Sequence, residues 1–353
     1  MRYTHGGDVY TYAERFGHEA LDFSANINPR GIPERVRRAM RAAVDDCTRY
    51  PDPFCRELTA ALAARWRLTS DQIFCGNGAA DIFFRLADCI RPKTALLPAP
   101  TFGEYEAALA RQGCDIRYHT LYRADGFALT ERVLDELTDE VDVFFLCNPN
   151  NPTGRTADPA LCEQIVWRCL QHDIWLVADE CFGDFLTDQR ARTLRPWLDT
   201  WQKLVIVRAF TKMYAVPGVR LGFCMTANRG LIEQLYAAGQ PWPVSVIAQA
   251  CGTAALSCED WESETARQIA DARKTLAAGL SACGLTVFPG EVNYLLFYTD
   301  RHDLRERLLP YGIMIRDCAN YRGLGPGYFR VAVKREADNK RLIETIQEVL
   351  SGG

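Results

Sequence analysis

Lys212, in the stretch VRAFTKMYAVPGVRLG, follows an apolar run and a threonine, and Arg220 stands eight residues beyond it. A lysine at such a place is ordinarily a solvated charge. Desolvated, its amine becomes a nucleophile able to form a Schiff base. The guanidinium of Arg220 grips phosphate oxygens in pairs, so the two residues together suit an aldehyde that carries a phosphate. Upstream, CGNGAAD (75–81) reads as a turn at a strand end leading into a helix. Gly76 and Gly78 allow close backbone approach, and the free N–H groups of Ala79 and Ala80 would bind an anion. NPNNPTG (148–154) is made of turn formers, and Asn151 within it is a donor for a phenolate oxygen. WLVADECF (175–182) is an apolar run ending in two carboxylates, Asp179 and Glu180. A buried carboxylate needs a partner, and a protonated ring nitrogen is one.

These residues need a scaffold that brings distant stretches to one place. TALLPAP (94–100), CDIRYHT (114–120), VDVFFLCNP (141–149), IWLVADE (174–180) and KLVIVRAF (203–210) read as strands. Between them, 102–112, 129–138 and 158–172 read as helices. Near-continuous apolar strands alternating with helices predict an α/β fold whose mostly parallel sheet is covered on both faces. Ligands of such sheets bind beyond the carboxyl ends of the strands, which is where the polar motifs fall. After about residue 238 the pattern changes. AAGQPWPV reads as a linker or helix entry, 245–256 and 259–283 as helices, and LTVFPG, NYLLFYT and YFRVAVK as strands before a closing helix. Residues 45–240 are thus expected to form a large domain, with 1–44 and 241–353 in a smaller α+β domain.

The bulk properties narrow the class. Lys+Arg number 41 against 45 Asp+Glu, a formal charge of −4, which removes any global case for nucleic acid or an anionic membrane. The first residues lack an apolar signal core, and no window approaches the apolar length of a membrane span. The 14 cysteines are scattered without a C-x-x-C, and the five histidines lie far apart, so reduced thiols in a cytoplasmic protein and no metal are expected.

Taken together, the motifs describe a site for pyridoxal 5′-phosphate. In order and spacing, GNGAAD, PTFGEY, NPNNPTG, VADE, FTK with Arg220, and YFRVAV resemble the fold-type I pyridoxal-phosphate enzymes of the aspartate-aminotransferase superfamily over nearly the whole chain. The resemblance implies that Lys212 holds the cofactor aldehyde, Asp179 pairs with the ring nitrogen, Asn151 binds the ring hydroxyl and Phe102 stacks on the ring. Ala79, Ala80, Thr211 and Arg220 would hold the phosphate, and Arg330 the substrate α-carboxylate. Tyr50, in RYPDP, matches the tyrosine that such homodimers lend to the neighbouring subunit's cofactor phosphate. Two departures stand out. Ala209 replaces the usual Ser or Thr three residues before the lysine, and Phe182 replaces the usual Tyr three residues after the ring-binding aspartate.

Phe182, with YTHGGDVY (3–10), LDFSANINPRGIP (21–33) and IRDCANYRGLGPGYFRVAVK (315–334), resembles decarboxylases of phosphorylated hydroxy amino acids. These are similar to histidinol-phosphate aminotransferases. A substrate bearing both carboxylate and phosphate needs a second anion site, for which His5, Asn26, Asn28, Arg322 and Lys334 are candidates, alongside Asn151 and Arg330. The expectation is decarboxylation of L-threonine O-3-phosphate, for the aminopropanol phosphate linker of cobalamin. L-serine O-phosphate is the second choice. The alternatives are a histidinol-phosphate aminotransferase or, in another class, a non-catalytic pyridoxal-phosphate sensor.

Overall fold

The computed structural model describes residues 5–188 and 192–352, so the first four residues of the 1–44 segment lie outside the described residues. In chain order its strands are β1 (Leu21–Asp22), β2 (Ile73–Gly76), β3 (Thr94–Ala99), β4 (Asp115–Thr120), β5 (Val143–Cys147), β6 (Trp175–Asp179), β7 (Leu204–Ala209), β8 (Gly222–Met225), β9 (Thr286–Val287), β10 (Tyr294–Tyr298), β11 (Ile313–Met314), β12 (Arg316–Asp317) and β13 (Tyr328–Ala332). The helices used below are α1 (Val9–Phe16), α2 (Glu34–Ala42), α3 (Arg56–Trp66), α4 (Ala79–Ile90), α5 (Glu104–Ala110), α6 (Pro159–Gln171) and α7 (Arg229–Ala237).

Among the described residues, seven strands form one sheet in the order β2-β8-β7-β6-β5-β3-β4. Only β8 runs against its neighbours, pairing antiparallel with both β2 and β7. The other six therefore end at one edge. β5 and β7 are buried along their whole length, as strands covered on both faces must be. The strands read from sequence are present, most trimmed by a residue or two at their ends, while LTVFPG keeps only Thr286–Val287. The segment 129–138 is not an α-helix: it holds a 3-10 turn over Glu131–Glu136 in which only Val133 is buried. Val133 and, just beyond the turn, Leu137 both reach the core from this tighter geometry, so the apolar spacing is satisfied without an α-helix.

A second sheet, β12-β13-β10-β9, is antiparallel. Its register sets Leu296, Arg330 and Arg316 side by side across three strands. β1 pairs parallel with β11, and Ala332 N–H donates to the Phe23 carbonyl. The amino-terminal segment is thereby stitched to this sheet and then runs toward Lys212, whose carbonyl accepts from Asn28 N–H at 3.1 Å. No helix among the described residues is long and apolar enough to cross a membrane.

Candidate active site

The carboxyl ends of the parallel strands and the edge of the second sheet enclose a cavity of about 250 Å³. Each strand end delivers one piece of it. The turn after β2 brings Ala79 and Ala80; the segment after β3 brings Phe102; the loop after β5 brings Asn151. β6 ends on Asp179, and β7 is followed by Thr211 and Lys212. Arg220 enters just before β8. Gly78 sits at φ 83°, and a Cβ there would lie 2.4 Å from Arg220 Nη2, so glycine makes room for the guanidinium. A Cβ on Gly222 would lie 2.6 Å from Ala79 N, so glycine again lets the start of α4 pack against the sheet.

Lys212 is buried, and its amine is pushed down to about 8, first by desolvation and then by the charge of Arg330, with Arg220 adding to the effect. About a tenth of the amine is therefore neutral at pH 7, far more than in an ordinary lysine, and supplies the nucleophilic form. Asp179 is 6% exposed and accepts from Cys181 N–H at 2.9 Å and from the Tyr105 hydroxyl. Burial raises its pKa, opposed by those bonds and by the charge of Arg208. Glu180 points the other way. It accepts from Leu194 N–H at 2.8 Å, from Thr193 Oγ1 and from Arg208 Nη1 at 2.7 Å. Arg208 also pairs with Asp184 at 2.5 Å, so this buried cluster ties β6, β7 and the turn carrying Phe182 together.

Arg330 donates to Asn151 Oδ1 and, through Nη2, to the Ser24 carbonyl at 3.1 Å. Because a guanidinium only donates, the Asn151 amide keeps its N–H₂ for a ring oxygen. Phe182 is buried edge-on against Tyr294, 4.9 Å between centroids, and brings no hydroxyl. A phenol nonetheless reaches Asn151, from Tyr321, at 3.4 Å. Ala209 lines the cavity and offers no hydroxyl for a phosphate.

The sequence-derived residues divide. Ala79, Ala80, Phe102, Asn151, Asp179, Thr211, Lys212, Arg220, Arg330, His5 and Asn26 share the cavity wall. Tyr50 is outside it, 76% exposed and stacked on Trp242 at 4.4 Å. Asn28 is buried behind the lysine and donates to the Met213 carbonyl at 2.7 Å. Arg322 lies on the surface, paired with Glu106 at 3.0 Å and over the Tyr118 ring. Lys334 sits near the Phe23 ring, outside the cavity wall. Ser24, from the quoted LDFSANINPRGIP, also lines the cavity; sequence reasoning missed Arg316, Cys147 and Cys181 there, and the Tyr105 bond to Asp179. Tyr105 stood in the quoted PTFGEY, but nothing in the spacing tells which carboxylate its hydroxyl meets. Arg316 is identifiable only through its register opposite Arg330.

This constellation defines a pyridoxal-phosphate enzyme of fold type I, and the chain belongs to the aminotransferase class I and II family, whose pattern matches residues 18–346. It is similar to the threonine-phosphate decarboxylase of Salmonella typhimurium, 38% identical over 354 residues that cover 99% of this chain and 97% of that protein. It is 30% identical over 355 residues to a histidinol-phosphate aminotransferase of Nitratidesulfovibrio vulgaris, covering 99% and 94%. Among solved structures, the histidinol-phosphate aminotransferase from Clostridium acetobutylicum matches with a TM-score of 0.87 and 26% identity, over 94% of this chain and 99% of that one.

Pyridoxal 5′-phosphate fits the residues present. Among the described residues, the Asp179 carboxylate lines the cavity with no cation bonded to it, Arg330 Nε is a buried donor without a partner, and Asn26 Oδ1 a buried acceptor without one. Gly78 leaves the hollow in which Arg220 can meet a phosphate. When bound, the cofactor supplies a protonated ring that withdraws the electron pair of a bond broken at the substrate Cα.

Proposed function

We propose that this chain decarboxylates an O-phosphorylated 3-hydroxy amino acid, L-threonine O-3-phosphate before L-serine O-phosphate, the former yielding (R)-1-amino-2-propanol O-2-phosphate for the cobalamin nucleotide loop and the latter ethanolamine phosphate. The observation that carries the reading is the pairing of Arg316 with Arg330 at the cavity wall, together with Lys212 and Arg220. Against these four cations the cavity wall sets one carboxylate, Asp179, so it suits a doubly phosphorylated complex of cofactor and substrate. The 38% identity to a threonine-phosphate decarboxylase supports the same reading.

In this reading Arg330 takes the α-carboxylate and Arg316 the distal phosphate. Holding both ends would fix rotation about the Cα bonds, so binding energy remote from the reacting carbon would be spent on aligning the Cα–carboxylate bond for cleavage. Asp179 keeps the proton on the ring nitrogen. Lys212 delivers the one proton that replaces CO₂ at Cα. His5 Nε2 lies 2.9 Å from Glu104 Oε1, an interaction that lowers the Glu104 pKa and holds the imidazole at the mouth of the cavity.

The experiment is a comparison of L-threonine O-phosphate, L-serine O-phosphate and histidinol phosphate, measuring CO₂ and the amine phosphate. CO₂ should appear from phosphothreonine without any keto acid. A fitted pocket distinguishes one methyl by about 10–200-fold, which sets the expected lead over phosphoserine. Amino transfer that depends on a keto acid and releases no CO₂ would overturn the reading in favour of the aminotransferase.

Glu104→Gln is expected to raise KM for the phosphoamino acid about tenfold, the scale of one weakened charge-assisted bond, with kcat within about twofold. Equal losses in KM and kcat would argue that Glu104 acts on the reaction rather than on substrate capture.

The reading includes a homodimer. Tyr50 and Trp242 are exposed and stacked, with Phe54 and Val44 also exposed, a surface that a second copy would cover while taking Tyr50 to its cofactor phosphate.

A further inference from the structure

We infer that Arg85 is a positioning residue for the cofactor phosphate, acting through Asp81; this rests on the reading of the Asn77–Ala80 turn as the phosphate cradle. Asp81 stands in the first turn of α4 and shapes that turn directly, because its Oδ2 accepts from Asn77 N–H at 3.0 Å. The contact is needed for the geometry and adverse for the ligand: a carboxylate beside the cradle repels a phosphate dianion. Arg85, one helical turn on, answers that charge. Its Nε donates to Asp81 Oδ1 at 3.0 Å.

The rest of the guanidinium is anchored away from the cavity. Nη1 donates to the Leu235 carbonyl at 2.9 Å, in the last turn of α7, and Nη2 to the Gln240 carbonyl at 3.5 Å. Its carbon lies 5.3 Å from the Phe74 ring centroid, and the side chain is 4% exposed. The chain keeps space for it: a Cβ on Gly239 would stand 2.1 Å from Arg85 Cζ. Asp81 is likewise accommodated, since a Cβ on Gly76 would reach within 2.9 Å of its Oδ2. A guanidinium does not deprotonate in a protein, so the compensating charge is permanent across the working pH range. Asp81 thus holds the turn while Arg85 cancels the repulsion, and neither lines the cavity.

The test measures the dissociation constants of pyridoxal 5′-phosphate and of pyridoxal, which lacks the phosphate, by the visible band of lysine-bound aldehyde. In Arg85→Met the dissociation constant for pyridoxal 5′-phosphate should rise about 10–100-fold, the scale of one uncompensated charge near an anion, while that for pyridoxal stays within about threefold. Asp81→Asn combined with Arg85→Met should recover most of the loss. Equal weakening of both aldehydes, or no recovery in the double variant, would overturn the inference and leave Arg85 as a packing residue. Should Arg85→Met fail to fold, Arg85→Lys decides. It keeps the charge and should keep the preference for the phosphorylated aldehyde; loss of that preference would overturn the inference. Failure of the wild-type protein to form the band with either aldehyde would instead sink the cofactor reading itself.

Discussion

Lys212→Ala should abolish turnover and, with it, the visible absorbance of cofactor held covalently by the protein. Positioned proton transfer alone typically contributes about 10²–10⁴-fold, so a loss of at least about 10³-fold is expected once the covalent anchor is removed as well. The expectation follows from place and charge together. Lys212 is the lysine in the cavity wall, and burial followed by the charge of Arg330 brings its amine down to about 8. Cofactor-free wild-type protein should capture added pyridoxal 5′-phosphate faster as pH rises through about 8, because the neutral amine is the attacking form, and then level off. Lys212→Arg, which keeps a cation in place but has no such amine, should fail as completely as the alanine variant. Retained turnover in Lys212→Ala would remove this residue from the reaction.

How much of this was legible in the sequence depended on whether a residue's role is local. The strand before Asp179 is announced by its own apolar run, and the turn into α4 by Gly76 and Gly78, so those parts follow from short-range pattern. β8 escaped notice because it is only four residues long, begins with glycine and runs against its neighbours. Arg316 and Arg330 are 14 residues apart in the chain and become neighbours only through the antiparallel register of β12 with β13. Arg322 was selected as a cation in a promising stretch, but a surface carboxylate, Glu106, pairs with it instead. Asn28 is polar and buried, yet its side chain serves the backbone behind Lys212 rather than the cavity. Composition and spacing name which residue types are available. Which way each side chain faces is decided by pairings between segments far apart in the chain.

Asp179→Asn should separate the stability of the cofactor-free protein from its function. Burial raises the Asp179 pKa above its ordinary value of 3.8, so the folded chain binds this proton more tightly than the unfolded chain does. Between those two values stability falls as pH rises, and at neutral pH the ionised carboxylate is a net cost to the cofactor-free fold. The cost shrinks as pH falls below the raised value and is gone below about 3.8. Asparagine has nearly the same shape and keeps both contacts: its Oδ1 can accept from Cys181 N–H, and its N–H₂ can donate to the Tyr105 oxygen. Without cofactor, the variant should therefore melt higher at neutral pH, by about 2 °C for a gain near 1 kcal/mol, and the advantage should vanish in acid. With cofactor the order reverses. A protonated ring nitrogen gives the buried carboxylate the cation it lacks, and an amide cannot hold that proton in place, so turnover should fall by about 10²–10³-fold and the melting gain on adding cofactor should shrink. An Asp179→Asn protein that is no more stable without cofactor, yet turns over normally with it, would show that the carboxylate is held for some purpose other than the ring. The strained buried charge at the end of β6 is on this view stability given up for catalysis, recovered only when the cofactor arrives.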